Sequence, residues 1–328
     1  MRCAVVESRL MTALLPQALK RRIRALPQWS AVALRQPQGV VRVRMQGAKG
    51  EIDVTGAAVV AALSPLTLGV GIDAAGSAAL GDCSKPLLRF VDVESGRMVG
   101  ALQLLSVGDC PTRAAGIALF EVQGAAQSCV QWPYRSWNRY LQDRAIRRHR
   151  RPDNFWMPPH AVQQLMIFYI CPRQVVLVSV EHGEHRNLFP MDLIGAVAPD
   201  RFTLALRNTS RSVPAMKSAR RVALSDVAAA DCALAYRLGA HHKDPLTDWQ
   251  SLPCAVTRSQ AFSLPFPQSA LRVRELEILD FATIGSHTFF ITRVAAEQPL
   301  AEADQLHHTS GLYQHFRTRH GRPFPAAA

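Results

Sequence analysis

The segment Gln174–Val180, QVVLVSV, constrains the chain more than any other stretch. A strand with one wet face alternates apolar and polar residues. This run does not alternate, and it is dense in β-branched residues, so both of its faces must be covered, as in a barrel or sandwich core. His182-Gly183-Glu184 follows as a turn. Arg201–Arg207, RFTLALR, then alternates, with Phe202, Leu204 and Leu206 on one face. Ser212 is placed to cap a short helix, with Pro214 tolerated in its first turn. Ser225 is placed to cap a second helix through Val227, Ala230, Leu234 and Leu238, with Gly239 as its stop. Leu271–Leu279 and His287–Val294 read as the remaining strands of this half.

The first half is also β-rich. Val40, Val41, Val43 and Met45 form a short apolar run, and Leu66, Leu68, Val70 and Ile72 alternate at period two. Phe90, Val91 and Val93 lead through Glu94-Ser95-Gly96 to Val99, Ala101, Leu102 and Leu104, which reads as a hairpin. Ile117, Leu119 and Val122 suggest another strand. Ahead of these, residues 1–35 hold a basic amphipathic helix pattern in Leu14, Leu15, Ala18, Leu19 and Ile23. The expected organisation is a β-rich N-terminal domain with helix and linker over 1–150, a second domain over 151–300, and a basic tail over 301–328. That tail is expected to begin as a helix and then fray. Length supports two domains, since 328 residues exceed one ordinary small core. The fold class is mainly β with helices, α+β.

Charge points to anionic partners without choosing among them. The formal net charge is +13, and such a surface attracts polyanions, whether nucleic acid or a phosphorylated cofactor. The densest cluster, Arg144 to Arg151, precedes Pro152 and reads either as an anion contact or as the solvated end of a helix before a linker. The seven cysteines are widely spaced and contain no CxxC, which favours reduced thiols over a disulfide framework or a zinc ribbon. No apolar run reaches the length of a bilayer span, and the charge order at the N-terminus is wrong for a secretory signal. A soluble, cytoplasmic protein without a membrane anchor is expected. Gly69–Gly76 lacks the GxGxxG spacing, no Walker loop or GxSxG elbow occurs, and His241-His242 and His307-His308 are adjacent pairs whose side chains diverge. No metal site is expected.

One constellation carries chemistry. Asn208, Thr209, Ser210, Arg211 and Ser212, preceded by Arg207, offer backbone N–H groups, hydroxyls and guanidinium groups just before the first helix of this half. The positive end of that helix favours an anion, and a polar turn with an ordinary Ser cap is the competing reading. Upstream, Asn187-Leu188-Phe189-Pro190-Met191-Asp192 reads as a loop that could pass a planar ring, or as a hairpin connection with a buried Phe189. Far downstream, His287 opens a strand on the face of Phe289, Ile291 and Arg293. It is a candidate catalytic residue or a satisfied barrel histidine.

Four blocks in order resemble the flavin reductase-like family: Cys171–Val180 its opening strand, Asn187–Asp192 its next segment, Pro199–Ser212 its second strand and phosphate loop, and Gly285–Ile291 its Gly-Asp-His-Thr-Leu-Phe-Ile segment. The resemblance implies an FMN-binding split β-barrel in the C-terminal half, with FMN, or FAD in its place, held by 187–192 and 207–212. It implies an FMN-dependent oxidoreductase of the NAD(P)H:flavin reductase type, with His287 positioning the nicotinamide donor. It further implies a homodimer with flavin near its interface, and a partner oxygenase as one outlet for reduced flavin. Ser286 stands where the family often has Asp, and the insert Leu238–Lys243 could reach over the flavin or lie on the surface. The alternative is a non-catalytic module that binds flavin or, less in keeping with the pattern, nucleic acid. The resemblance does not reach residues 1–150, for which a degenerate second barrel, a partner-docking domain and a substrate cap all stay open.

Overall fold

The computed structural model describes residues 25–35, 39–112, 116–148, 156–242, 245–246 and 248–327. The amphipathic helix pattern of Leu14–Ile23 and the basic residues Arg150 and Arg151 lie outside that set. The C-terminal half is a seven-stranded antiparallel sheet. Its strands are β10 (Val176–His182), β11 (His185–Met191), β12 (Ile194–Ala198), β13 (Arg201–Arg207), β14 (Arg221–Asp226), β17 (Arg272–Ile284) and β18 (His287–Pro299). They run side by side as β11-β10-β14-β17-β18-β13-β12. Helix α4 (Ser212–Ala219) joins β13 to β14 and buries Val213 and Met216 in the barrel core. The QVVLVSV run behaves as its composition requires. Val176, Val178 and Val180 face that core with Phe189, Leu204 and Phe290, whereas Val175 and Leu177 face a second apolar cluster built with α5 (Cys232–Leu238). Two-sided burial removes the need for a polar face.

The N-terminal half is a second seven-stranded antiparallel sheet. It comprises β2 (Val41–Gln46), β3 (Glu51–Asp53), β4 (Ala58–Leu63), β5 (Leu66–Gly71), β6 (Leu87–Asp92), β7 (Met98–Asp109) and β8 (Ile117–Gln127), with helix α1 (Ala74–Leu80) between β5 and β6. The order is β3-β2-β6-β7-β8-β5-β4. Counted from the first strand of each half, both sheets read second, first, fifth, sixth, seventh, fourth, third, and in both the helix lies between the fourth and fifth strands. Of the three readings open for this half, the second barrel is the one whose topology is present.

Three expectations need correction. The tail does not fray. Residues Gln305–Ser310 form β19, which lies between β1 (Trp29–Leu34) and β9 (Arg173–Gln174), and Gly311–Arg319 form α6. Tyr313, Phe316 and Phe324 are buried in the core of the N-terminal half, and Tyr313 Oη donates to Asp92 at 2.5 Å. Apolar burial under a basic surface holds this segment in place. Ser225 caps nothing, because it sits inside β14, and α5 begins later at Cys232. Residues 187–191 are not a loop but most of β11, paired with β10 along its length. Phe189 is fully buried in the barrel core, so it gives no surface to a ligand. Elsewhere, α2 (Tyr134–Arg148) ends in exposed Arg144, Arg147 and Arg148, the solvated helix end. Of the described cysteines, Cys110, Cys129, Cys171 and Cys232 are buried and all six are free. Among the described residues no helix is long and apolar enough to cross a membrane, and no cluster of His, Cys, Asp or Glu is placed to hold a metal ion.

Candidate functional site

The segment 207–212 leaves β13 and enters α4, and two polar networks meet it, one buried and one partly exposed. On the first side, Asn187 of β11 is 1% exposed. Its Nδ2 donates to Ser212 Oγ at 2.9 Å and to the His241 carbonyl at 2.9 Å. Because that carbonyl can only accept, the amide orientation is fixed and Oδ1 points the other way. Asn187 Oδ1 has no hydrogen-bond partner among the described residues. His185 Nε2 lies 3.1 Å from Ser212 Oγ. Burial lowers the His185 pKa below the usual histidine value. A neutral ring accepts the Ser212 proton while Ser212 accepts from Asn187.

On the second side, Asn208 Nδ2 donates to the Gly285 carbonyl at 2.9 Å, and Thr288 Oγ1 donates to Asn208 Oδ1 at 3.0 Å. The Asn208 side chain therefore clamps the β17–β18 turn. Arg207 pairs in register with His287, the first residue of β18. His287 is 1% exposed. Its pKa falls to about 4, chiefly through burial and secondarily through Arg207. The Leu63 N–H donates to His287 Nδ1 at 3.5 Å, Ser286 Oγ lies 2.8 Å from the same nitrogen, and the Ser64 N–H donates to Ser286 Oγ at 3.0 Å. Nδ1 is thus the acceptor and the ring proton belongs on Nε2. Leu63 and Ser64 belong to the N-terminal half, so both halves build this wall. Gly285 is required where they meet, with φ +48° and a notional Cβ only 2.4 Å from the Ser64 carbonyl oxygen.

Between the two networks, Arg207, Thr209 and Arg211 are exposed and Ser210 is half-buried. The N-cap of α4 is Arg211, whose side chain makes no cap, contrary to the Ser212 cap expected from sequence; instead Ser210 Oγ accepts from the Ser212 N–H at 3.3 Å and the Ser210 carbonyl from the Val213 N–H at 3.1 Å. Ser212 is instead fully buried in the first turn. A helix start with no acidic residue, flanked by Arg207 and Arg211, favours an anion.

The structure thus brings Asn187, Arg207 through Ser212 and His287 into one neighbourhood, with Asn208 and Ser212 tied up internally. It does not bring Leu188, Phe189 and Asp192 there. Leu188 and Phe189 are fully buried, each in an apolar cluster. Asp192 accepts from His308 Nδ1 at 2.7 Å, and His308 Nε2 lies 2.8 Å from Tyr236 Oη. Pro190 and Met191 continue β11 away from Asn187. Sequence reasoning missed His185, Thr288 and the Leu63-Ser64 hairpin. No local pattern marks them, because each acts across a gap of many residues. The insert at 238–242 lies along β11, where the His241 carbonyl meets Asn187 and where Leu246 N donates to the Arg186 carbonyl at 2.9 Å.

Residues 168–317 match the family model described as flavin reductase like domain. This segment is similar to a flavin reductase like domain. The match runs past residue 300 to include β19 and most of α6. Among solved structures, the FMN-binding protein from Thermus thermophilus is 22% identical, over 39% of this chain and 72% of its own, with a TM-score of 0.35. The NADH:FAD oxidoreductase of Streptomyces globisporus is 18% identical over 49% of this chain and 95% of its own, with a TM-score of 0.41. The styrene monooxygenase flavin reductase of Pseudomonas putida is 19% identical over 43% and 90%, with a TM-score of 0.36. No curated protein matches the chain.

Proposed function

We propose that the flavin reductase like domain binds FMN, with FAD as the alternative, and takes hydride from NAD(P)H onto it. The observation that carries this reading is the start of α4, which has no acidic residue and lies between Arg207 and Arg211, beside a buried Asn187 with an acceptor that no described residue uses. Arg207 and Arg211 would hold the terminal phosphate at the positive end of α4, and Thr209 and Ser210 would add hydroxyl donors. Asn187 Oδ1 offers an acceptor to an N–H or O–H of the nucleotide, and a ligand that used it would relieve a buried unpaired atom. Bound flavin supplies two-electron redox chemistry at its ring; the protein supplies binding, orientation and exclusion of water. His287, neutral and held by Ser286, is suited to fix a wall of the site and to donate from Nε2, not to transfer protons near neutral pH. Reduced flavin would serve in place or pass to a partner oxygenase.

The test is the visible spectrum of the purified full chain. A flavin band near roughly 450 nm, bleached by anaerobic NADH or NADPH, is expected. A protein that gains no such band with added FMN contradicts the reading. Flavin that stays oxidised with both donors supports a non-catalytic flavin module instead. A nucleic-acid reading has one observation in its favour. The stacked pair Trp137 and Tyr140 is exposed on α2 beside Arg144, Arg147 and Arg148. Binding to single strands that weakens steeply with salt would support it.

A further inference from the structure

We infer that this chain is a covalent pseudo-dimer of two barrels with a single nucleotide site: the N-terminal barrel takes the place of a second subunit and has lost its own site. The inference rests on the flavin reading above for the C-terminal barrel.

The two barrels meet through matching strands. One buried apolar cluster joins Val59, Ala61, Cys110, Ile117 and Leu119 of the first half to Val197, Ala205, Ala282, Phe289 and Ile291 of the second. Val59 and Val197 come from the third strand of their halves, and Leu119 and Phe289 from the seventh. A contact in which like elements face like elements is what a twofold pair of subunits makes. Here one chain supplies both, and the contact is as apolar and buried as a domain interior.

Register identifies the residues of the first barrel that correspond to the candidate site. Arg207 pairs with His287 where the fourth strand ends and the seventh begins; the corresponding pair is Gly71 and Ile117. Val176 pairs with Asp226 and Val41 with Asp92, which aligns the first strands. Val180 then corresponds to Met45, and their hairpin partners are Asn187 and Ile52. Each polar group of the site has become glycine or isoleucine. The five-residue polar segment 207–211 ahead of α4 has shrunk to Gly71, Ile72 and Asp73 ahead of α1. Asp73 fills the helix start with its own carboxylate, accepting from the Gly76 N–H at 2.7 Å. A phosphate would meet that negative charge. The space is also occupied: a notional Cβ on Gly71 would lie 1.9 Å from the Val197 carbonyl oxygen, so the backbone of the other barrel fills the place that corresponds to the Arg207 side chain. The first barrel instead lends its Leu63-Ser64 hairpin to the His287 wall.

The consequence is one flavin per chain in a monomer, in place of the homodimer that the resemblance implied. Native mass spectrometry of the full chain, titrated with FMN, reads both quantities together. A 36.1 kDa monomer that takes up one FMN and no second is expected, and Arg211→Glu should empty that site while Asp73→Asn leaves it at one. Two FMN per chain, or FMN carried only by a dimer, overturns the inference and leaves the flavin reading standing. No FMN on any species overturns the flavin reading itself, and this inference with it.

Discussion

Asn187 joins β11, the helix start at Ser212 and the insert carbonyl of His241 through one buried amide. Replacing it by leucine keeps the volume and removes both donors. The His241 carbonyl and Ser212 Oγ would then lose a partner inside the protein, a loss of about 1–3 kcal/mol. Urea unfolding of Asn187→Leu should show that loss as a lower midpoint with an unchanged slope. Arg211 behaves oppositely, because it is exposed and makes no cap. Arg211→Glu places a carboxylate at a helix start, which leaves stability within roughly 0.5 kcal/mol or raises it slightly. The same change should weaken FMN by at least about tenfold, or about 1.4 kcal/mol, in a fluorescence titration. His287 and His307 each have a pKa lowered to about 4 by burial. The unfolded chain binds protons at both positions once the pH drops below the ordinary histidine value near roughly 6.5. Their contribution is therefore fully present above that value and is lost as the pH falls toward 4, by up to about 1.4 kcal/mol per pH unit for each histidine. Thermal melts from pH 7 to pH 5 should show a falling midpoint, with a shallower fall in His287→Gln.

At the scale of elements, α1 and α4 show how one position in a fold serves opposite ends. Asp73 caps α1, and Asp73→Ala should cost about 1 kcal/mol of stability, read by chemical unfolding, without weakening FMN. In α4 the neutral Ser210 hydroxyl takes the first N–H, no carboxylate is present, and Arg207 and Arg211 flank the start. Much of this level is legible in the chain. The QVVLVSV run declared a strand buried on both faces, and RFTLALR declared its alternation, because strand periodicity is a local property. Strand β11 was not legible. Asn187 and Pro190 carry loop signals, yet an edge strand tolerates Pro where its missing N–H would face away from the ladder. The helix expected from Ser225 failed for a similar reason, since a hydroxyl that suits a cap also fits inside a sheet such as β14. The site was half legible. The basic, hydroxyl-rich segment ahead of α4 stood out, whereas the commitment of Asn208 and Ser212 to internal bonds depends on Thr288, Gly285 and His185, distant in sequence.

At the scale of the whole molecule, the two barrels share strand order but almost none of the residues that would reveal it. Arg207, His287 and Asn187 correspond to Gly71, Ile117 and Ile52, so the repeat is written in pairing and not in composition. Their contact should behave as a core. Gly71→Val would drive a side chain into the Val197 carbonyl oxygen and should destabilise the full chain by several kcal/mol, above the roughly 1–3 typical of overpacking. A single cooperative unfolding transition in calorimetry, lowered as a unit in that variant, is the expected signature. The central claim is that the helix start at 207–212 holds a nucleotide phosphate while the wall shared with Leu63 and Ser64 closes over its ring. A crystal structure of the full chain grown with FMN tests this most directly. The account predicts phosphate density within hydrogen-bond reach of the first turn of α4, with Arg207 and Arg211 turned toward it. FMN bound elsewhere, with that helix start facing only water, would contradict it.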